Sequence, residues 1–380
     1  MFSWFGVKGV VLVVGVVLLV SCGGGGPEGV VGGGERVLTA EQYYDKVLGA
    51  WQATLVANHT GLVHEGQYLE EPSSADSIEL VLLEQWSTDD DTAVEWVDLH
   101  ILETYGLEPT YSQIRDEWVD HLNFDIWNSA LQARELMDEG ILPPETGSAE
   151  LNPVGAWSIG AQLTTELFGM IAPGMPEEAA RRAAYFGRVT NSGPAIEASQ
   201  FYAILYALAF FEGDISTLIT AAQSYFPAES EVYGITADVL SWHKQNPNDW
   251  RATRRLIRDK YDMDPMWWAS RVNFASTVMA LLYGRGDFMD TITIAALAGW
   301  DADNNMTTSA GLLGITHGFD RLPEPIRTSS QIYFNEDVTG DVPKTQTVSE
   351  IATRTQTLAE QAIVQSGGQV EAGIYSVVGD

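Results

Sequence analysis

Apolar residues recur along most of this chain at intervals of three and four positions, which is the spacing of one face of an α-helix. After residue 92, for example, Val94, Val97, Ile101 and Leu102 would share such a face. Alternation of apolar and polar residues with a period of two, which would indicate strands, is not persuasive in any segment. The pattern therefore predicts an all-α protein. Because no internal repeat divides it, we expect one domain over about residues 37–366.

Local signals place the helix boundaries. Thr39 and Gln42 have the spacing of a capping box, which predicts a helix from there to about Ala57. A second helix should begin at an acidic cluster near residue 90 and end at Gly106. Glycine and proline fall between the other helical stretches. These have the approximate bounds 110–122, 126–139, 155–169, 176–187, 194–212, 214–225, 234–245, 249–260, 270–283, 287–298, 305–317 and 347–365.

The first residues are typical of an export signal. A single basic residue, Lys8, precedes an apolar run over 10–20 that is too short to span a bilayer comfortably but fits a signal-peptide core. The sequence Leu-Val-Ser-Cys that ends at Cys22 resembles a bacterial lipoprotein cleavage box. In such proteins the cysteine becomes the lipidated first residue. A plain secretory signal with an incidental cysteine is the alternative.

We therefore expect four regions. These are a lipoprotein signal peptide over 1–21, a glycine-rich tether over 22–36, the all-α domain over 37–366 and a C-terminal tail over 367–380. Cys22 is the only cysteine, so no intrachain disulfide can form. The protein should be exported and held on the periplasmic or cell-surface face of a bacterial membrane only through a lipid anchor at Cys22.

Acidic residues dominate the charge. The chain has 52 acidic and 20 basic residues and a net charge of −32. Such an excess repels nucleic acid and anionic membranes, so we expect no nucleic-acid partner. An anionic substrate would need local positive charge, which bound metal ions can supply.

Two acidic clusters carry the chemistry, one at 88–92 (Thr-Asp-Asp-Asp-Thr) and one at 301–305 (Asp-Ala-Asp-Asn-Asn). Either alone could simply cap a helix and complement its dipole. An EF-hand calcium loop is disfavoured because its spaced ligands and glycine are missing. Adjacent carboxylates repel each other, and hard cations such as Mg²⁺ or Mn²⁺ prefer oxygen ligands of this kind. The clusters therefore predict a metal site that the fold closes.

Three ordered motifs give the chain a more specific resemblance. They are a helix that runs into a loop with Gly61 and Glu65, the acidic cluster 88–92, and the cluster 301–305 followed by Gly311 and Gly314. Over most of residues 46–325 the chain resembles the ADP-ribosylglycohydrolase family. These are all-α enzymes that hydrolyse ADP-ribose linkages and related N- or O-glycosidic bonds. The resemblance implies a compact, multi-helix orthogonal bundle.

The first acidic cluster can be aligned with the Thr-Asp-Asp-Thr motif of the family in two registers. One register uses Thr88, Asp89 and Asp90. The other uses Asp90, Asp91 and Thr92 and puts Asp89 in the place of the first threonine. We favour the second register, because it keeps Asp-Asp-Thr and places Val94 at the next buried helical position.

Other positions depart from the family pattern. Ala302 replaces a threonine, and Asn304 stands where a hydroxyl oxygen usually binds metal. Around Asn191, the sequence Asn-Ser-Gly occupies a position where the family frequently has histidine. These departures leave open a protein that kept the fold and binds a ligand without catalysis.

By this resemblance we expect two Mg²⁺ or Mn²⁺ ions, a metal-dependent hydrolase and a small-molecule or protein-linked ADP-ribosyl or ribosyl substrate. The protein should act as a monomer. A hydrolase of another glycoside or of a nucleoside is the main alternative. Proton transfer is assigned to Asp90, Asp303 or Glu65, and Glu65 could instead gate the site. The expected metal ligands are Asp89, Asp90, Asp91, Asp301, Asp303 and Asn304.

Aromatic and histidine residues carry less information. Trp86, Trp96, Trp300 and Phe319 are candidates for stacking on an adenine or a sugar, although tryptophans are more often core residues. Single histidines are usually structural. We therefore give little weight, as ligands, to His59, His64 and His317.

Overall fold

The computed structural model describes residues 35–123 and 126–379. The expected signal peptide, Cys22 and all but the end of the expected tether lie outside the described residues. Within them, no helix combines the length and the apolar character that crossing a membrane requires.

Helices form most of the described chain, which confirms the predicted fold class. Most of the predicted helices are present, with ends within a few residues of the expected positions. The helices are α1 Ala40–Gly61, α2 Asp90–Tyr105, α3 Tyr111–His121, α4 Asn128–Asp138, α5 Glu166–Met170, α6 Pro176–Gly187, α7 Pro194–Ala209, α8 Ile215–Gln223, α9 Glu231–Gln245, α10 Trp250–Tyr261, α11 Ser270–Gly284, α12 Phe288–Ala298, α13 Ala302–His317, α14 Glu324–Arg327 and α15 Val348–Gln365.

The capping box at the start of α1 is present. The amide of Gln42 donates to Thr39 Oγ1 at 3.1 Å, and the amide of Thr39 donates to Gln42 Oε1 at 2.9 Å. The helix continues past its predicted end at Ala57 to Gly61. The polar residues in that last turn are buried, and Thr60 Oγ1 donates to the carbonyl of Val56 at 2.7 Å. Side chains that suggest a loop by composition therefore lie inside the protein.

The core is built around helices that are buried on nearly every side. They are the second half of α1 together with α7, α11 and α13. Small residues allow α1 and α13 to approach closely: a Cβ atom on Gly314 would lie 2.5 Å from the Cα of Ala50. This contact leaves no room for a larger side chain, so the glycine fixes how α13 lies on α1.

The predicted helix over 155–169 is wrong. The segment contains irregular backbone with short 3₁₀ turns at Pro153–Ala156 and Gly160–Gln162, and only its last residues belong to an α-helix, α5. The backbone there bonds to another segment: the amide of Ile159 donates to the carbonyl of Trp268 at 3.1 Å, and the amide of Ser270 donates to the carbonyl of Trp157 at 2.7 Å. These tertiary bonds replace the bonds that a helix would make.

Two small antiparallel sheets were not predicted. One has the order β1-β5-β4, with β1 at Glu35–Thr39, β4 at Gln369–Glu371 and β5 at Ile374–Val378. The other pairs β2, Ile332–Phe334, with β3, Thr345–Thr347. Strands of three to five residues are too short to show a clear alternation. The segment expected to be a C-terminal tail supplies β4 and β5, and β5 pairs with β1 from Glu35↔Val378 to Thr39↔Ile374.

Candidate active site

Two helix N-termini form the base of the candidate site. Asp89 is the N-cap residue of α2, and Asp90 and Asp91 lie in its first turn. Asp301 is the N-cap residue of α13, and Asp303 lies in its first turn. Carboxylates at these positions meet free backbone N–H groups and the positive ends of the helix dipoles. The local helix geometry therefore favours negative charge at both places.

The end of α1 brings the third motif to the same place. A Cβ atom on Gly61 would lie 2.2 Å from the Cα of Asp303, so only glycine allows α1 to end against the start of α13. The chain then turns, and the amide of Glu65 donates to the carbonyl of Gly61 at 3.0 Å. This turn directs Glu65 towards the aspartates.

The carboxylates form two overlapping groups. In one group, oxygen atoms of Glu65, Asp301 and Asp303 all lie within 4.8 Å of one another. In the other, oxygen atoms of Asp89, Asp91 and Asp303 do so. Asp303 belongs to both. Residues from sequence positions more than 200 apart therefore contribute to one cluster, as expected from the order of the motifs. Their role as ligands stays a prediction.

Burial and mutual repulsion raise the pKa values of the aspartates in this cluster. Burial raises the pKa of Asp90, Asp91 and Asp301 well above the usual value, and neighbouring aspartates raise each pKa further. The pKa of Asp303 rises to about 8, first through burial and then through the charges of Asp89 and Glu65. So many buried like charges are stable together only with bound cations or protons.

The donor set fits a hard divalent cation. Every group in the two overlapping sets is a carboxylate, and oxygen-only sites are those that Mg²⁺ and Mn²⁺ prefer. Buried Oδ1 atoms of Asp303 and Asn58 have no hydrogen-bond partner among the residues that the structure describes. Unpaired buried oxygens beside a carboxylate cluster are available to coordinate an ion or its water.

Two asparagines orient the first acidic cluster. Nδ2 of Asn58 donates to Asp89 Oδ2 at 2.7 Å and makes a longer contact of 3.4 Å with Asp91 Oδ2. Nδ2 of Asn304 lies 3.4 Å from Asp91 Oδ1. Asn304, a predicted metal ligand, does not line the cavity and presents its amide group to Asp91. Asn58 was missed, although it lies one helical turn before the motif glycine on α1.

A buried assembly behind the second cluster fixes Asp301. Asn273 Oδ1 accepts from the amide of Asp301 at 3.0 Å and from Asn305 Nδ2 at 2.9 Å. Trp300, just before Asp301, has a left-handed backbone with φ of 61°. The Arg254 guanidinium lies 3.8 Å from the centre of the Trp300 ring and also donates to the carbonyls of Leu69 and Ala298. The strained residue is held by its surroundings on several sides.

A cavity of about 410 Å³ opens over the carboxylates. This is large enough for a nucleoside or a similar ligand. Its aromatic wall consists of Trp127, Trp267 and Trp268, and its polar lining includes Asn128 and Ser158. Sequence reasoning missed these tryptophans. The adjacent pair Trp267 and Trp268 could have indicated them, because two large aromatic residues side by side are unusual in a solvent-exposed loop.

None of the four aromatic residues proposed from sequence lines this cavity. Trp86, Trp96 and Trp300 are buried core residues, and Phe319 lies beside Gly49, near the middle of α1. Their alternative role as packing residues is therefore the one the structure supports. The sequence alone does not distinguish a tryptophan in the core from one that lines a cavity, because in both places its ring makes apolar contacts.

Asn191, where the family frequently has histidine, supports the cavity from behind. Its Nδ2 donates to the carbonyls of Gly155 and Ser158 at 3.0 Å, and Oδ1 accepts from Thr190 Oγ1 at 2.7 Å. It is buried and does not line the cavity. It therefore positions Ser158, which does line the cavity.

The three histidines considered from sequence are outside both carboxylate groups. His59 Nε2 lies 3.1 Å from the carbonyl of Ser87, and its ring stacks on Trp86. His317 bonds to the carbonyl of Gly286. His64 packs against Tyr68. Burial lowers the pKa of all three, as expected for neutral structural histidines.

The mainly helical domain thus places a buried carboxylate cluster beneath a cavity of ligand size. Residues 39–360 match the profile of the family described as ADP-ribosylglycohydrolase. The chain belongs to the ADP-ribosylglycohydrolase family. Membership supports a glycoside-hydrolysing enzyme, and the family is metal-dependent.

A solved structure of an "ADP-ribosylglycohydrolase-related protein complex" has a similar fold. The TM-score is 0.58 at 17% sequence identity, over 84% of this chain and 98% of that chain. At this identity the similarity supports the fold alone. No curated protein matches the chain significantly.

Proposed function

We propose that this protein is a metal-dependent hydrolase that cleaves the N- or O-glycosidic bond of an ADP-ribosyl or related ribosyl substrate. The observation that carries the proposal is the convergence of the carboxylates from three motifs beneath one cavity with an aromatic wall. Carboxylates can coordinate cations and transfer protons, and tryptophan rings can stack on a sugar or a nucleobase.

The two overlapping groups would hold two ions, with Asp303 shared between them. Asp89, Asp91 and Asp303 would bind one ion, and Glu65, Asp301 and Asp303 the other. Divalent cations held there would supply positive charge and a polarised water near the anomeric carbon. Asn58 and Asn304 would keep the carboxylates of the first group in orientation.

Proton transfer is best assigned to Asp90. It lines the cavity but belongs to neither group, so its carboxylate is not required as a ligand. Burial raises its pKa well above the usual value, and a raised pKa makes the ionised carboxylate a stronger base. Asp303 and Glu65 remain alternatives. Glu65 is only half-buried and lies on the turn after α1, which is the position expected of a gate.

A substrate panel tests this function. Purified protein with Mn²⁺ or Mg²⁺ is incubated with ADP-ribosylated protein, ADP-ribosyl small molecules, nucleosides and aryl glycosides, and release of the free sugar is measured. We expect turnover of an ADP-ribosyl or ribosyl compound that EDTA abolishes and Mn²⁺ restores. Full activity in EDTA would contradict the metal-dependent mechanism. Metal-dependent binding without turnover of any compound would support a binding protein instead.

A second candidate is a hydrolase of an uncharged nucleoside or another glycoside. Among the described residues, the cavity lining contains no Lys, Arg or His. A diphosphate would therefore depend on the bound ions for its countercharge, whereas a nucleoside would not. In the panel, kcat/KM higher for nucleosides than for ADP-ribosyl compounds would favour this candidate.

We also propose that the enzyme acts outside the cytoplasm as a lipoprotein. The support is the apolar run over 10–20 and the cleavage-like sequence that ends at the only cysteine, Cys22. Cells that express the full chain are labelled with a fatty-acid analogue and fractionated. We expect label in the membrane fraction, and its loss in Cys22→Ser. Label that persists in Cys22→Ser would contradict the anchor.

A further inference from the structure

A second group of potential metal ligands lies where α2 meets α3. Nε2 of His100 lies 3.3 Å from Oε2 of Glu117 on α3, and Nε2 of His121 lies 2.9 Å from the same oxygen. One ligand atom from each of these residues lies within 4.8 Å of the others. Since a helix rises ~1.5 Å per residue, His100 is roughly 15 Å along α2 from Asp90. The group is therefore separate from the candidate active site.

The contacts of His121 orient its Nε2 atom towards Glu117. Its Nδ1 lies 2.7 Å from the carbonyl of Thr339, so Nδ1 carries the proton and donates it. In the neutral ring, Nε2 then points an unshared electron pair at the Glu117 carboxylate. Two such atoms 2.9 Å apart repel each other unless a second proton or a metal ion lies between them. An Nδ1–H bond to a carbonyl is also how metal-binding histidines are commonly oriented.

Neighbouring residues fix the geometry of the group. The hydroxyl of Tyr105 donates to Glu117 Oε1 at 2.6 Å, which leaves Oε2 for the two histidines. Gly340 has φ of 73°, and a Cβ atom there would lie 2.7 Å from Cε1 of His121. The glycine lets the loop between β2 and β3 lie directly on the imidazole. The loop thereby brings Asp341 Oδ1 to 3.6 Å from Nε2 of His121.

We propose that His100, Glu117 and His121 bind a divalent transition-metal ion of the Zn²⁺ type, with Asp341 as the fourth ligand. Zn²⁺ favours imidazole nitrogen combined with carboxylate oxygen, whereas Mg²⁺ and Mn²⁺ prefer the oxygen-only set. Donors ~2.1 Å from a tetrahedral ion are roughly 3.4 Å apart. The separations of 2.9 and 3.3 Å from Glu117 Oε2 to the two histidines lie around that value. Asp341 Oδ1, 3.6 Å from Nε2 of His121, is outside the set of ligand atoms that lie within 4.8 Å of one another, so its exposed side chain would have to move inward to complete the site.

The ion would join three parts of the fold: α2, α3 and the loop between β2 and β3. All three ligands besides His100 come from outside α2, so the ion would fix α2 relative to the rest of the fold. The first turn of α2 carries Asp90 and Asp91. The role is therefore structural, and it does not depend on the proposed hydrolase function.

Metal binding by the purified protein tests the site. Chelator-treated protein is titrated with Zn²⁺ by calorimetry and with Co²⁺ as a spectroscopic probe. We expect a Co²⁺ complex with the visible absorption of four-coordinate nitrogen and oxygen ligation, which Zn²⁺ displaces. His100→Gln and His121→Gln should each weaken Zn²⁺ binding at this site by about 100-fold or more. His243→Gln, a histidine outside the group, and Asp303→Asn should keep the absorption.

A third variant guards against a folding defect. Asp341 is exposed on its loop, with 87% of its side chain accessible, so Asp341→Asn should fold normally. It should weaken Zn²⁺ binding by about 10-fold. Absence of the four-coordinate absorption in the wild-type protein would overturn the proposal and indicate a protonated histidine paired with Glu117. Unchanged Zn²⁺ affinity in both histidine variants would overturn it as well.

Discussion

The two walls of the cavity are built differently. The carboxylate wall comes from helix ends, the first turns of α2 and α13 and the turn after α1, which pack through contacts as close as that of Gly61 on Asp303. The aromatic wall comes from residues just before helices: Trp127 precedes α4, and Trp267 and Trp268 precede α11. Rigid elements thus hold the groups that would perform the chemistry. Less regular segments carry those that would select the substrate.

The largest loss of activity is expected from a change at Asp303, the residue that both carboxylate groups share. Asp303→Asn removes a ligand from each predicted ion, so kcat/KM should fall roughly 1,000-fold or more in the Mn²⁺-supplemented assay. Asparagine is also always neutral, whereas Asp303 must take up a proton on folding to be neutral in the metal-free protein. Thermal unfolding in EDTA should therefore show a higher Tm than for the wild type. The exposed Asp290→Asn serves as control and should change neither quantity appreciably.

Proton linkage should set the pH dependence of the carboxylate wall. The pKa of Asp303 is raised to about 8, and an ion must displace that proton to bind. Well below that pKa, one displaced proton lowers the affinity about tenfold per pH unit, so Mn²⁺ affinity should fall about 50-fold from pH 8 to pH 6. Calorimetry in buffers of different ionisation enthalpy measures the proton release. An affinity independent of pH would contradict this linkage.

The stability of the metal-free protein should change in the opposite direction. A carboxyl group whose pKa is higher in the folded state contributes stability below its unfolded pKa and loses that contribution as pH rises through the folded value. For Asp303 this window runs from about 4 to about 8. Tm in EDTA should therefore fall as the pH rises from 5 to 8. Mn²⁺ should restore it most strongly at pH 8.

Gly61→Ala tests whether close packing holds the carboxylate wall in place. The new Cβ would overlap the Cα of Asp303, so α1 and α13 must separate. We expect a loss of roughly 1–3 kcal/mol in the free energy of unfolding. Activity should fall roughly 10- to 100-fold because the ligands are displaced. Gly234→Ala in α9 is the matched control, since a Cβ there meets no atom. It should be neutral or slightly stabilising.

The aromatic wall should show the smallest effect, and a different kind. Trp127 is 57% exposed, so Trp127→Ala should leave the free energy of unfolding nearly unchanged. Loss of one stacking contact costs about 1 kcal/mol, or roughly fivefold in KM, with kcat little changed. Trp127→Phe should recover most of the affinity. A fall in kcat without a change in KM would contradict the idea that the aromatic wall affects substrate binding and the carboxylate wall affects catalysis.

The same difference explains what the sequence could predict. Asp89 to Asp91 and Asp301 to Asp303 form short runs at helix starts, where both local structure and chemistry can be inferred from adjacent residues. Trp267 and Trp268 join the site only because their segment pairs with the 3₁₀ turns near Ser158, in a region where a helix was expected. Asn58 and Asn273 act through long-range hydrogen bonds. Such bonds depend on tertiary contacts that periodicity does not encode.

The small sheets were missed for a related reason. β1 and β5 come from opposite ends of the described chain, and each has five residues. The two strands pair because the packing of the helices brings the ends of the described chain together, and no local sequence pattern indicates this pairing. The existence of the helices, by contrast, could be predicted from the spacing of apolar residues and from capping signals such as Thr39.

Arg254 restricts the movement of the turn that carries Glu65. Its guanidinium joins the carbonyls of Tyr68, Leu69 and Ala298, and it lies against the Trp300 ring. The amide of Gly66 also donates to the carbonyl of Trp300 at 2.8 Å. The segment after Glu65 and the residue before Asp301 are thus tied together. Any gating movement of Glu65 would therefore be confined to a short flap, the few residues between Gly61 and Gly66.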